Sequence, residues 1–252
     1  MRPCLFCPAD ADSLEDAWPR WVTTQFKGTR PSEFRAERGG TKLKSWNVLQ
    51  PELTIRCVCQ NCNNGWMSQL ELGVRPFLQP LLTGESHTVD TNGQTVIARW
   101  TVKTAMVLEA LDPIEKRVYV QTERERLRSH AAIPWRTSIW LAASADPAWF
   151  MSTKTRHMGA AAIGVSITMA FAHVALQVLT IRVPEIVGPL TKVSTDVRRG
   201  PWDQLTVQVW PPCPFVNWPP PMGLNAEMGL DALAERFNTT DHNAAEIETL
   251  AV

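Results

Sequence analysis

The sequence predicts an α+β fold: a small zinc-stapled module followed by a larger unit in which helices and strands mix. Three observations carry this. Two Cys-x2-Cys knuckles, Cys4/Cys7 and Cys59/Cys62, stand in the first third of the chain with 51 residues between them. Apolar periodicity is weak around them, as in small modules where a metal replaces core area. Beyond them the apolar pattern switches between period 3.6 and period 2. Of the 252 residues, 44% are hydrophobic and 20% charged, which is enough to bury a core. The expected organisation is a module over 1–82, a turn-rich linker over 83–94, an α+β domain over 95–237 and a polar, frayed tail over 238–252.

Each element has its reason in the order of the chain. The first knuckle, CLFC, leads into SLEDAWPRW (Ser13 to Trp21). There Glu15 and Asp16 lie side by side between a cysteine pair and a rigid Trp-Pro turn. They are either metal-binding acids or an exposed acidic pair at a strand end. Trp18, Trp21 and Trp66 are read as core around a small metal site. After Cys62, NNGWMSQLELGVRPFLQPLL predicts a short helix with Trp66 and Leu70 on one face; Asn63-Asn64 can cap it and Pro76 ends it. Asn92-Gly93 predicts a tight turn in the linker. Ile97, Trp100, Thr104, Val107 and Leu111 recur at helical spacing until Asp112-Pro113. TERE (Thr122 to Glu125) fits a capping box for a short basic helix ending near Ser129. TSIWLAA and QLTVQVW read as strands, PPCPFVNWPPP as an extended loop, and LDALAERF as a final amphipathic helix.

The 24 residues from Met158 to Ile181 carry no Lys, Arg, Asp or Glu, which is long enough to span a bilayer. Ser166, Thr168, His173, Gln177 and Thr180 are spread along the run, and Gly159 and Gly164 interrupt it. Polar groups so placed are costly in lipid. Two buried strands, or a strand and a helix, are expected instead.

The formal net charge is zero, so no global field steers the chain towards nucleic acid or a membrane. Residues 20–56 depart from that balance: Arg20, Lys27, Arg30, Arg35, Arg38, Lys42, Lys44 and Arg56 face three acids, Glu33, Glu37 and Glu52. This is either a solvated hairpin or a strip that contacts phosphates. The start, MRPCLFC, has no apolar h-region, so no secretory signal is read. Cysteines in metal-binding rather than disulfide spacing fit a reducing cytoplasm.

Thiolates suit tetrahedral Zn²⁺, and a two-residue gap lets both sulfurs of a knuckle reach one ion. CVCQNC offers three thiols. Cys59 and Cys62 have knuckle spacing, which leaves Cys57 as a buried spare. Cys213 stands alone in a Pro-rich loop.

CLFC, EDAWP and CQNCNNGWM together resemble the zinc-stapled HNH endonucleases, within them the bacterial and phage group with a CNNGWM-type second knuckle. The resemblance covers residues 1 to about 72. It implies a ββα-metal fold in which Cys4, Cys7, Cys59 and Cys62 hold a structural zinc. It also implies a second, hard cation, Mg²⁺ or Mn²⁺, on Glu15 and Asn63. Asp16 stands where the family has the histidine that deprotonates the attacking water. A general base works best with a pKa near ambient pH, and the reference values are about 6.5 for His and about 3.9 for Asp. No other histidine lies in residues 1–82; the five are His87, His130, His157, His173 and His242. The function implied is a metal-dependent DNA nuclease with Glu15, Asp16 and Asn63 at its centre, slow for want of the imidazole. Arg20, Lys27, Arg30, Arg35, Arg38, Lys42 and Lys44 would hold the DNA backbone. The alternative is a non-catalytic zinc-module scaffold that binds nucleic acid or protein.

Overall fold

The computed structural model describes residues 2–26, 32–38, 41–48, 53–112, 114, 117–158, 162–182, 192–193, 201–225, 228–237 and 247–248. Lys27, Arg30 and most of the expected tail lie outside the described residues. The chain mixes helix and strand, as expected for α+β.

β1 (Ser13–Asp16) pairs antiparallel with β4 (Thr54–Val58), Glu15 opposite Ile55. Between them come α1 (Arg20–Gln25), which starts after Pro19, and the hairpin of β2 (Ser32–Arg38) and β3 (Thr41–Val48). The second knuckle opens a helix that runs in three pieces. α2 (Gln60–Cys62) leads into a wider π-type turn over Asn63–Met67, where Gly65 is non-helical. α3 (Ser68–Leu82) follows. Pro76 and Pro80 lie inside α3 and do not end it. Each proline removes one helical N–H bond. Val74, Leu78, Leu81 and Leu82 are wholly buried, and that burial holds the helix together through both. The stop comes at Gly84, whose φ of +75° a side chain would resist.

Residues 83–94, expected as a linker, hold β5 (His87–Asp90) and the first turn of α4 (Thr91–Glu109). Asn92-Gly93 is therefore helical. The Asp90 carboxylate caps α4 by accepting from the Gly93 N–H at 2.7 Å. α5 (Gln121–His130) begins two residues earlier than TERE suggests. Glu123, not Glu125, reaches back to accept the Val120 N–H and also pairs with Arg182. Glu109, at the end of α4, accepts from the Val118 and Tyr119 N–H groups and pairs with Arg124 at 2.7 Å. That buried pair fastens the chain between α4 and α5.

The charge-free run is one arm of a long antiparallel hairpin, β6 (Thr137–Met158) and β7 (Ala162–Arg182). After β8 (Lys192–Val193) and α6 (Trp202–Leu205), β9 (Thr206–Trp210) adds to β6, giving the order β7-β6-β9. β10 (Phe215–Trp218), inside the expected extended loop, pairs with β5. α7 (Leu230–Glu235) packs on the hairpin; β11 (Ile247–Glu248) pairs with β8. No helix among the described residues is long and apolar enough to cross a membrane.

One core runs through both expected units. Trp18, just after β1, stacks at 5.3 Å against Phe171 of β7, which also meets Trp100 of α4 at 5.6 Å. Trp18 is buried as expected, and Trp21 and Trp66 are partly buried against the same core.

Candidate metal centre and the buried acid beside it

The four knuckle cysteines converge. Their sulfurs all lie within 4.8 Å of one another and all four residues are buried. Cys7 Sγ is 3.5 Å from Cys59 Sγ and 3.7 Å from Cys62 Sγ. A tetrahedral Zn²⁺ with bonds of about 2.3 Å puts its sulfurs about 3.8 Å apart. The set is therefore compatible with a structural zinc ion. Local backbone prepares it: the Phe6 N–H points at Cys4 Sγ and the Cys62 N–H at Cys59 Sγ. Burial raises the thiol pKa of Cys7 and Cys62, whereas at Cys59 the Cys62 N–H and the neighbouring thiols outweigh burial and the pKa falls below the ordinary thiol range. Such donors stabilise thiolate. The Cys57 carbonyl accepts the Leu5 N–H at 2.8 Å, which ties β4 to the first knuckle. Cys57 itself lies outside the four-sulfur set, and burial pushes its thiol up to about 12.

Glu15 does not face an open groove. Along β1 the usual polarity is inverted: Leu14 is 53% exposed and Glu15 4%. The Glu15 side chain meets Lys103 from the middle of α4. Lys103 Nζ stands 2.9 Å from Glu15 Oε1 and 3.0 Å from Glu71 Oε1 of α3. The lysine is 1% exposed, so the ammonium is held in the interior by two carboxylates. Burial lowers the Lys103 pKa, but the pull of Glu15 and Glu71 is larger, and the net shift is upward. For Glu15 the balance falls the other way: burial raises its pKa more than Lys103 lowers it. Both shifts favour the protonated form. The firmer direction is that of Lys103, because two acceptors within 3.0 Å face a single ammonium.

Asp16 is 29% exposed and binds Arg20 at 2.9 Å, a pair that is itself mostly in water. Asn63 is not an N-cap. It lies in helical conformation past the Cys59 cap, and its side-chain amide donates to Ser13 Oγ and to the Leu14 carbonyl, both at 2.9 Å. It clasps the helix to β1 beside Glu15. Glu15 and Asp16 are adjacent on β1, Asn63 lies against that strand through Ser13 and Leu14, and each has a protein partner. Arg35 and Arg38 lie on β2 and Lys42 and Lys44 on β3; Lys44 is in register with Ala36 and Lys42 with Glu37. His157 lies on β6 opposite Ile163.

Lys103 and Glu71 were not anticipated. A signal existed for the lysine: it sits three residues after Trp100 and four before Val107, on the apolar stripe of a helix. A charge placed there needs a buried partner.

Comparison of the chain with protein-family models, with curated proteins and with solved structures finds no match.

Proposed function

We propose that this chain is a zinc-stapled, nucleic-acid-binding scaffold of HNH-like ancestry, in which Glu15 serves packing and not hydrolysis. The observation that carries this reading is the Lys103 ammonium between Glu15 and Glu71. A carboxylate neutralised by a buried ammonium has little attraction left for a divalent ion. Mg²⁺ at Glu15 would have to displace or repel the Lys103 ammonium that already holds this carboxylate. The base is absent as well, since Asp16 takes the histidine position and residues 1–82 hold no other.

In this reading Cys4, Cys7, Cys59 and Cys62 hold zinc, which supplies folding free energy to a segment poor in apolar periodicity. Nucleic acid is held by the basic β2–β3 hairpin together with Arg20, which is exposed on α1. Because the chain has no net charge, that contact is local and its affinity falls steeply with salt.

A second reading, a slow Mg²⁺- or Mn²⁺-dependent nuclease, is favoured by one observation: Asn63 lies against β1 beside Glu15, with the partly exposed Asp16 next along the strand. Gel-shift and plasmid-nicking assays on the zinc-loaded chain separate the two. The scaffold binds DNA in a salt-dependent way and cuts none, and Asp16→His does not start cleavage. Cleavage by Asp16→His that Glu15→Gln abolishes supports the nuclease.

A further inference from the structure

A cleft of about 410 Å³ lies between the first knuckle, β4 and the loop after α4. Neither the cysteine cluster nor the Lys103 cluster uses it. Three arginines from separate segments line it: Arg2 ahead of the first knuckle, Arg56 on β4 and Arg117 beyond α4. Asp112 is the one carboxylate among its lining residues. The arginines outnumber that carboxylate three to one, which leaves the lining of the cleft with an excess of positive charge. Burial, followed by the charge of Arg124, holds the Arg117 pKa below the ordinary guanidinium range.

Two of the three are fixed in place by backbone. Arg117 donates from Nε to the Asp112 carbonyl and from Nη2 to the Ala110 carbonyl, both at 3.1 Å. Arg56 donates to the Asp12 carbonyl at 3.0 Å. The plain account of Arg117 is that it caps the C-terminal carbonyls of α4. That explains one arginine. It does not explain why Arg2 and Arg56 face the same space. The rest of the wall is apolar: Leu5 is buried, while Leu111 and Ile114 are 45% and 72% exposed at the rim.

We propose that this cleft binds an organic phosphate, with the phosphate on Arg2, Arg56 and Arg117 and the attached group against Leu111 and Ile114. A phosphate monoester brings a charge of about −1.5 to −2 and three acceptor oxygens, which suits several guanidiniums better than a carboxylate does. The volume lies in the range that takes a whole small ligand rather than a bare ion. A free nucleotide and the phosphorylated end of a strand share this chemistry. The inference does not depend on the basic hairpin binding nucleic acid.

The test is calorimetric titration of the zinc-loaded full chain with inorganic phosphate, adenosine monophosphate, adenosine, and a short thymidine strand with and without its 5′-phosphate. Adenosine monophosphate binds, inorganic phosphate binds more weakly, and adenosine does not bind. Arg2→Gln with Arg56→Gln weakens the nucleotide about tenfold or more, the loss of two charge-assisted contacts. Ile114→Glu is an exposed change that spares the fold, and it weakens the nucleotide in the same direction. If the 5′-phosphorylated strand outbinds its 5′-hydroxyl twin and the arginine pair removes the difference, the ligand is a strand end. If only the mononucleotide responds, it is a free nucleotide. No binding of the mononucleotide at millimolar concentration overturns the proposal. So does binding that both variants leave unchanged.

Discussion

Replacing Lys103 by methionine keeps an unbranched side chain one atom shorter and removes its charge, leaving Glu15 buried without a counter-ion. Breaking a buried pair in this way costs about 3–5 kcal/mol. Adding Glu15→Gln removes the stranded charge, and Glu71, 26% exposed, can turn to water. The double variant is therefore expected to recover most of the loss in urea unfolding, and a strictly additive double would contradict the pairing. The pH dependence has a definite sign. The folded-state pKa of Lys103 is raised, so its contribution is fully present below the ordinary lysine value of about 10.4 and is lost as pH rises through the folded value. Once Glu15 is ionised, the difference in urea midpoint between the native chain and the double variant should stay flat to about pH 10 and shrink above it. Shrinkage that begins below pH 9 would assign the effect to other groups.

At the scale of elements, the two knuckles make the sharpest contrast. Cys59→Ser should lose zinc, measured by atomic absorption, together with the tryptophan near-ultraviolet circular dichroism. Cys57→Ser should keep both, because Cys57 lies outside the four-sulfur set. Gly93 allows α3 and α4 to approach closely: a Cβ there would come within 2.7 Å of the Phe77 ring and 2.8 Å of Val89. Gly93→Ala should lower the melting temperature, an overpacking cost of about 1–3 kcal/mol that exceeds the roughly 1 kcal/mol gained in helix propensity. These elements also separate what could be read in the sequence from what could not. The start of β6 was legible as a short apolar run buried on both faces, and β9, α4 and α7 because one face of each is apolar at the period of its own geometry. The cysteine set was legible because knuckle spacing is local. Helix α3 was misjudged at Pro76, since burial across two prolines outweighs the lost N–H bonds, and burial is not a local property. The partner of Glu15 is not legible for the same reason. That partner is Lys103, 88 residues away, and no spacing rule links a β-strand acid to a helix lysine.

In the whole molecule, the aromatic chain from Trp18 through Phe171 to Trp100 joins the cysteine module to the β6–β7 hairpin. The module therefore forms part of the wall of the larger core. Removing zinc with a chelator should lower the stability of the entire chain in one transition, seen together by circular dichroism and tryptophan fluorescence. Two separated transitions would instead mean that the halves fold independently. The same joint core accounts for the Glu15 contact: α4 sets its one lysine, Lys103, against Glu15 of β1 and Glu71 of α3, and these acids become its counter-charge. Whether Glu15 belongs to packing or to catalysis is decided most directly by titrating the zinc-loaded full chain with Mn²⁺, followed by electron paramagnetic resonance, with plasmid nicking measured on the same samples. A Glu15 paired with Lys103 predicts no Mn²⁺ bound at the acidic pair and no nicking. Stoichiometric Mn²⁺ with nicking, both abolished by Glu15→Gln, would contradict it.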